Sequence, residues 1–287
     1  MGDRRKGTGG RVVNAFPDLQ LPARRGADAF TLSKWYLDCV APDGRVVVGY
    51  WASLSWHDLA ITWQHVDLYE PGKPPRRQSS LSSSPPPELG ANAITWRAQA
   101  LGCTIDVRSR QAPIQQRLLD DDTGIVEWRA DAPAADVSVA LSGCPPLQGT
   151  GYAERLLVTV PPWRLPIREL RWGRWIDAAV NRSVVWIDWR GESPRTWVFV
   201  DGQLAASAVV TDERVSAGTA EVAVGQRRTL DAKSFLQIVA AIPPLQAVVP
   251  KSLLALQQTR WCSDATLTEG DAPALDGQAI HEVVVFG

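Results

Sequence analysis

Apolar and polar residues alternate with a period of two through most of the chain. The runs TLSKWYLDCV (residues 31–40), RVVVGYWASL (45–54) and LAITWQHVDLYE (59–70) are rich in aromatic and β-branched side chains. In an extended chain successive side chains point to opposite faces, so this pattern predicts half-buried strands. Pro42, Asp43 and Gly44 divide the first two runs as a hairpin turn. Shorter runs of the same kind follow: GCTIDVRS, PIQQRLLD, GIVEWRAD and ADVSVALSG, with a turn over residues 120–124. Pro145, Pro146, Gly149 and Gly151 interrupt the pattern near the midpoint. It resumes in YAERLLVTV, LRWGRWIDA, SVVWIDWRG and RTWVFVDGQLAASAVV, and AIHEVVVFG reads as a closing strand. Asp201-Gly202 is a two-residue hairpin signal.

Two segments break the alternation. PGKPPRRQSSLSSSPPPELG (residues 71–90) reads as a mobile loop, because proline removes ladder donors and a serine tract buries little. KSFLQIVAAI (residues 233–242), followed by Pro243-Pro244, fits a strand as well as a helix. Short strands at this density predict an all-β fold of sandwiches or barrels, and two successive antiparallel barrels are the simplest arrangement. The expected division is an N-terminal, partly flexible segment (1–27), a first barrel (28–144, with the loop 71–90) and a second barrel (145–287), joined near residues 143–149.

Composition narrows the function. The 287 residues are 45% hydrophobic, enough for a sizeable core, and 30 basic residues against 31 acidic ones leave a net charge of -1. That balance offers nucleic acid and anionic lipid no attraction. No stretch reaches the roughly 18 apolar residues of a spanning helix, and MGDRRKGTGG has no apolar segment behind its charges. A cytoplasmic protein without stable membrane insertion is expected. Its cysteines, Cys39, Cys103, Cys144 and Cys262, are scattered singly, and Cys39 and Cys144 would be disulfide partners only in an oxidising compartment. His57, His65 and His281 have no metal-ligand spacing, and no phosphate or dinucleotide loop occurs. No metal, flavin or nucleotide cofactor is therefore expected.

The 13 tryptophans are the most unusual feature. Each buries a large apolar area, so they fill cores; a flat ring can equally line a cavity and stabilise developing positive charge.

Two motifs carry a resemblance. SKWYLDCVAPDG resembles the opening EWWYFD…DG of the AttH-like, hydroxyneurosporene synthase family, which includes the carotenoid 1,2-hydratases. GYAERL, LPIRELRWGRW and VVWIDWRG are similar to its second-half signature: a G-Y-x-acid strand, a WGR strand and a strand ending in aromatic-x-Asp. The resemblance covers roughly residues 31–202. It implies two lipocalin-like β-barrels, and a chemistry ranging from acid–base hydration of polyenes to pericyclic ring closure in natural-product pathways.

Carried over residue by residue, the hydratase pattern falls on Gly151, Tyr152 and the acid Glu154, and later on Trp186 and Asp188. Where the hydratases have His-x-Trp, this chain has Arg155 and Leu157. Arginine stays charged and cannot shuttle a proton as histidine does, which argues against carotenoid hydration itself. It can instead polarise a carbonyl or pair with Asp188. On an extended strand Tyr152, Glu154 and Leu156 share one face, and Arg155, Leu157 and Thr159 the other.

The expected site has Arg155, Asp188 and Glu154 as catalytic groups, with Trp172, Trp175, Trp186, Tyr152 and Leu157 against the substrate. The alternative for Arg155 and Asp188 is an architectural ion pair. The expected function is a cofactor-independent enzyme that cyclises, isomerises, hydrates or dehydrates a hydrophobic polyene, terpenoid or polyketide-like molecule. A non-catalytic carrier of such a molecule is the alternative, and a protein that binds partners through exposed tryptophans is a third. Oligomeric state stays open.

Overall fold

The computed structural model describes residues 30–57, 59–234 and 256–286. The N-terminal segment 1–27 and most of KSFLQIVAAI lie outside them; only Lys233 and Ser234 of the latter are described, at the end of a strand.

The alternating runs form two antiparallel sheets. The first contains β1 (Thr31–Val40), β2 (Val46–Trp56), β3 (Leu59–Tyr69), β4 (Arg76–Ser80), β5 (Glu88–Leu89), β6 (Ala93–Ala98), β7 (Cys103–Ser109), β8 (Ile114–Asp121), β9 (Gly124–Leu141) and β10 (Leu147–Val158). Its strand order is β4-β3-β2-β1-β10-β9-β7-β6-β5, with β8 also paired to β9. The second contains β11 (Ile167–Ile176), β12 (Ser183–Gly191), β13 (Arg195–Val200), β14 (Gln203–Leu204), β15 (Ala208–Val210), β16 (Arg214–Ala217), β17 (Ala220–Ser234), β18 (Gln257–Glu269) and β19 (Leu275–Val285). Its order is β14-β13-β12-β11-β19-β18-β17-β16-β15. The expected all-β tandem of lipocalin-like sheets is what the chain forms.

Turn chemistry sets the hairpins. Gly44, at φ +80°, closes the β1–β2 turn by donating its N–H to the Ala41 carbonyl. Asp201 and Gly202 both have positive φ and join β13 to β14, as a two-residue hairpin requires.

Two expectations differ from the fold. The segment 71–90 is not loop throughout: its proline-free stretch RRQSS forms β4, an edge strand paired to β3 alone. An edge strand needs partners on one side only, so prolines can flank it without cost to the sheet. The Pro/Gly segment 143–149 is a turn inside the first sheet, because β10 lies between β1 and β9. The chain passes between sheets at residues 159–166, through Pro161, a short 3-10 turn (Pro162–Arg164) and Pro166.

Three apolar layers result. Trp35, Trp51, Trp96 and Leu157 lie in a core enclosed by the first sheet, and Trp175, Trp186 and Val198 in one enclosed by the second. A third layer lies between the sheets and contains Tyr36, Tyr50, Trp128, Tyr152, Trp172 and Ile187. Trp35, Trp51 and Trp96 are at most 1% exposed, so packing rather than a ligand occupies the first core around them.

Gly151 shows how tightly β10 is held. A Cβ there would sit 2.0 Å from the Asp38 carbonyl oxygen and 2.6 Å from a Val137 methyl. Gly151→Ala is expected to destabilise the fold by about 1–3 kcal/mol, read as a lower urea midpoint with unchanged m.

Candidate active site

β10 pairs with β1 so that Glu154 lies opposite Tyr36, and Arg155 opposite Trp35. Alternation then sends the two neighbours to different layers. Tyr152 and Glu154 enter the layer between the sheets; Arg155 and Leu157 enter the first sheet's own core.

Arg155 is 2% exposed and grips Asp131 with two hydrogen bonds, Nε to Oδ2 at 2.6 Å and Nη2 to Oδ1 at 2.9 Å. Its guanidinium also lies 5.2 Å from the Trp35 ring centroid. Asp131 comes within reach because the β9–β10 register shifts between Ala153 and Glu154, which leaves Asp131 as the extra residue of a bulge. Arg155 and Asp188 are not brought together. Asp188 shares a face with Trp186 on the second sheet, accepting bonds from Arg190 Nε and Thr196 Oγ1, each at 2.7 Å. Each side chain points into its own sheet's concave side, so both sheets separate them. Of the expected substrate contacts, Tyr152 and Trp172 line the inter-sheet layer, Trp175 and Trp186 the second core, and Leu157 the first.

Glu154 is the residue around which polar groups converge. Its Oε2 accepts from Trp128 Nε1 at 2.5 Å, Tyr152 Oη at 2.8 Å and Trp172 Nε1 at 3.0 Å. Its Oε1 has no hydrogen-bond donor among the described residues. Burial is the main cause that raises the Glu154 pKa above the ordinary value of 4.5; it outweighs the opposing pull of Lys34 and of the Trp128 and Tyr152 donors, and nearby Glu282 adds to it.

The surrounding charges are paired. Asp38 and Arg174, both fully buried, form an ion pair between the two sheets. Tyr36 donates to Asp38 Oδ2 at 3.0 Å, and Arg174 Nη1 to the Gln278 carbonyl at 2.9 Å. Arg260 donates through Nε to Glu282 Oε2 at 3.0 Å and through Nη2 to the Tyr50 hydroxyl. Its guanidinium stands 5.5 Å and 5.4 Å from the ring centroids of Tyr36 and Tyr50. Lys34 lies 5.2 Å from the Tyr50 centroid on the other strand neighbour. Burial would raise the Glu282 pKa, but Arg260 and Lys34 hold it below the ordinary value. Burial keeps the phenols of Tyr36 and Tyr152 protonated, with pKa values well above 10.

Sequence reading did not single out Lys34, Tyr36, Asp38, Tyr50, Arg174, Arg260 or Glu282. Their signal was present: Lys34, Tyr36 and Asp38 recur at alternate positions of one strand, and Arg174 is the arginine of the WGR motif. The layer is buried at Asp38 and Arg174 and becomes half-buried at Leu32, Trp63, Leu156 and Leu170. At the other end a separate open groove of about 1190 Å³ is lined by Arg108, Arg110, Asp136, Arg228 and Asp264 and does not reach Glu154. Among the described residues no group of three or more His, Cys, Asp or Glu could hold a metal ion. Among the described residues no helix is long and apolar enough to cross a membrane, and all four cysteines are unbridged.

Two antiparallel sheets therefore pack with a polar aromatic layer between them. Comparison with solved structures shows the same fold. A provisional AttH from Nitrosomonas europaea aligns over 93% of this chain and 97% of its own, at 14% identity and TM-score 0.51. Kievitone hydratase from Nectria haematococca aligns over 97% of each chain at 6% identity and TM-score 0.53. CghA, also solved with Sch210972, aligns over 90% of this chain and 89% of its own at 10% identity and TM-score 0.52. No protein-family profile and no curated protein sequence matches the chain.

Two outcomes follow from this geometry. Arg155→Met removes the more buried of the two arginines that answer Asp131, leaving Arg129 as its partner, and is expected to cost about 1–3 kcal/mol, part of which adding Asp131→Leu recovers in chemical denaturation. Glu154 binds its proton more tightly folded than unfolded, so its contribution is full below pH 4.5 and is lost as pH rises through the raised folded value. Glu154→Gln should therefore flatten that limb of the stability–pH curve and raise Tm at pH 7.

Proposed function

We propose that this protein is an enzyme that protonates a carbon–carbon double bond, or a departing hydroxyl, of an apolar unsaturated small molecule held between the two sheets, with Glu154 as the general acid. The observation that carries the reading is the Glu154 carboxyl: buried, favoured in its protonated form, and held through one oxygen while the other has no protein donor. A carboxyl whose pKa is raised by burial keeps its proton to higher pH than an ordinary glutamate, which suits a general acid.

The step balances simply. The substrate π bond takes the proton from Glu154 Oε1, and the neighbouring carbon becomes electron-deficient. Tyr36, Tyr152 and Trp172 pack on one another beside Glu154 at ring-centroid distances of 5.0–6.2 Å, and aromatic rings close to that position favour positive charge. The carboxylate left behind receives the N–H and O–H donors of Trp128, Tyr152 and Trp172, which bind an anion more strongly than a neutral acid. Water addition to the cation gives hydration, loss of a proton from another carbon gives isomerisation, and attack by a second double bond followed by proton loss gives cyclisation; in each case the proton released returns to the Glu154 carboxylate. In the reverse sense the same acid assists dehydration. The name of kievitone hydratase, a protein of the same fold, favours the hydration arm; the CghA structure with Sch210972 favours a small-molecule occupant.

The test is incubation with a panel of isoprenoid and polyene substrates in D₂O, with deuterium incorporation at carbon read by mass spectrometry. Glu154→Gln, folded by circular dichroism, is expected to lose at least about 100-fold in rate while retaining substrate binding. Wild-type activity should fall on the alkaline side, as Glu154 loses its proton. Undiminished incorporation in the glutamine variant would remove Glu154 from the chemistry. Tight binding with no turnover by the wild type would make the protein a carrier.

A further inference from the structure

β19 presents Glu282 to the inter-sheet layer, so its neighbour His281 faces the other way, into the concave side of the second sheet. There a second cavity of about 250 Å³ opens beside Trp186, Trp261, Val215, Val224, Thr259 and His281. Its geometry depends on Gly173, which lies across the strands from both Trp186 and His281. A Cβ at Gly173 would come within 2.2 Å of the Trp186 ring and 2.7 Å of His281 Cβ, so only glycine lets the indole lie flat across β11. Trp261, directly opposite His281, stacks on the imidazole at 5.2 Å and 25°.

His281 is 7% exposed, and one ring nitrogen is accounted for: Nε2 is 3.0 Å from Ser263 Oγ. Nδ1 has no partner among the described residues, and it is the polar atom offered to this aromatic cavity. Burial, reinforced by Arg227, lowers the His281 pKa to about 4, so the ring is neutral at physiological pH. A neutral imidazole shares its single proton between the two nitrogens according to what Ser263 does, leaving Nδ1 as either donor or acceptor. A hydroxyl on a ligand satisfies both cases. The charged groups at the mouth are engaged with one another: Arg171 bonds Glu169 and Asp212, and Arg227 bonds the Asp212 carbonyl.

We propose that this cavity is a second small-molecule site, independent of Glu154, that takes a planar one- or two-ring aromatic carrying a hydroxyl, with the ring beside Trp186 and Trp261 and the hydroxyl on His281 Nδ1. The size fits: an apolar cavity of about 150 Å³ already takes up benzene. The chemistry fits as well, because the Trp186 and Trp261 rings and the Val210, Val215 and Val224 side chains give the cavity an apolar wall beside the His281 imidazole, with Arg171, Asp212 and Arg227 at its rim, and such a mixed lining suits a flat amphipathic ligand.

Calorimetric titration of the full-length protein with 1-naphthol and with naphthalene tests the site. The wild type is expected to bind 1-naphthol one-to-one and about tenfold more tightly than naphthalene, the scale of one net hydrogen bond. In His281→Phe that preference disappears. Val224→Trp, at a half-exposed position on the cavity wall, blocks both probes and leaves His281 intact. Glu154→Gln leaves both affinities unchanged. A preference for 1-naphthol that survives His281→Phe, its loss in Glu154→Gln, or a wild type that binds neither probe overturns the proposal. If His281→Phe fails to fold, Val224→Trp decides alone, and undiminished binding in that variant overturns it.

Discussion

Asp38 and Arg174 meet between the two sheets with no access to water, and the rest of the inter-sheet layer is arranged around that contact. A buried ion pair adds little net stability, because both ions lose hydration; breaking one half is costly because a bare charge is left behind. Its effect is therefore on placement. The pair ties β1 of the first sheet to β11 of the second. Two residues along each strand are Tyr36 and Trp172, whose rings meet edge to face at 5.0 Å beside Glu154. A sheet that slid by one residue would trade Arg174 for an apolar neighbour and leave Asp38 uncompensated.

With the sheets so fixed, charge and aromatic surface are sorted along the layer. Asp38–Arg174 and Arg260–Glu282 are ion pairs in which each carboxylate is answered by a guanidinium. Glu154 is different, since its nearest cation, Lys34, makes no direct ion pair with it and its other partners are uncharged N–H and O–H donors. Uncharged donors steady a carboxyl without forcing it to ionise. That contrast separates a group that holds the fold from one that is free to give up a proton.

Much of the fold was legible because strand alternation and turn chemistry are local. Asp201-Gly202 and Pro42-Asp43-Gly44 are turns in sequence and in space, and most period-two runs became strands, although GIVEWRAD and ADVSVALSG run together as β9 and RTWVFVDGQLAASAVV divides into β13, β14 and β15. The passage between sheets was harder to read, since a Pro/Gly turn within a sheet and one between sheets use the same residues. The face assignment of Glu154 and Arg155 followed from alternation, but the partner of Arg155 did not. Its carboxylate, Asp131, is aimed inward by a bulge, which changes register by one residue and leaves no periodic trace. Arg174 and Glu282 lay in strands already recognised; what was missing was the pairing of faces across the layer, which strand periodicity does not encode.

The three groups that bond Glu154 come from different places: Trp128 and Tyr152 belong to one half of the chain, and Trp172 to the other. The acidity of this carboxyl is thus a property of the junction and not of either half. A fragment ending after β10 would keep Glu154 but expose it to water, and there it would behave as an ordinary surface glutamate. Proton affinity at one side chain becomes a gauge of how closely the two halves are docked.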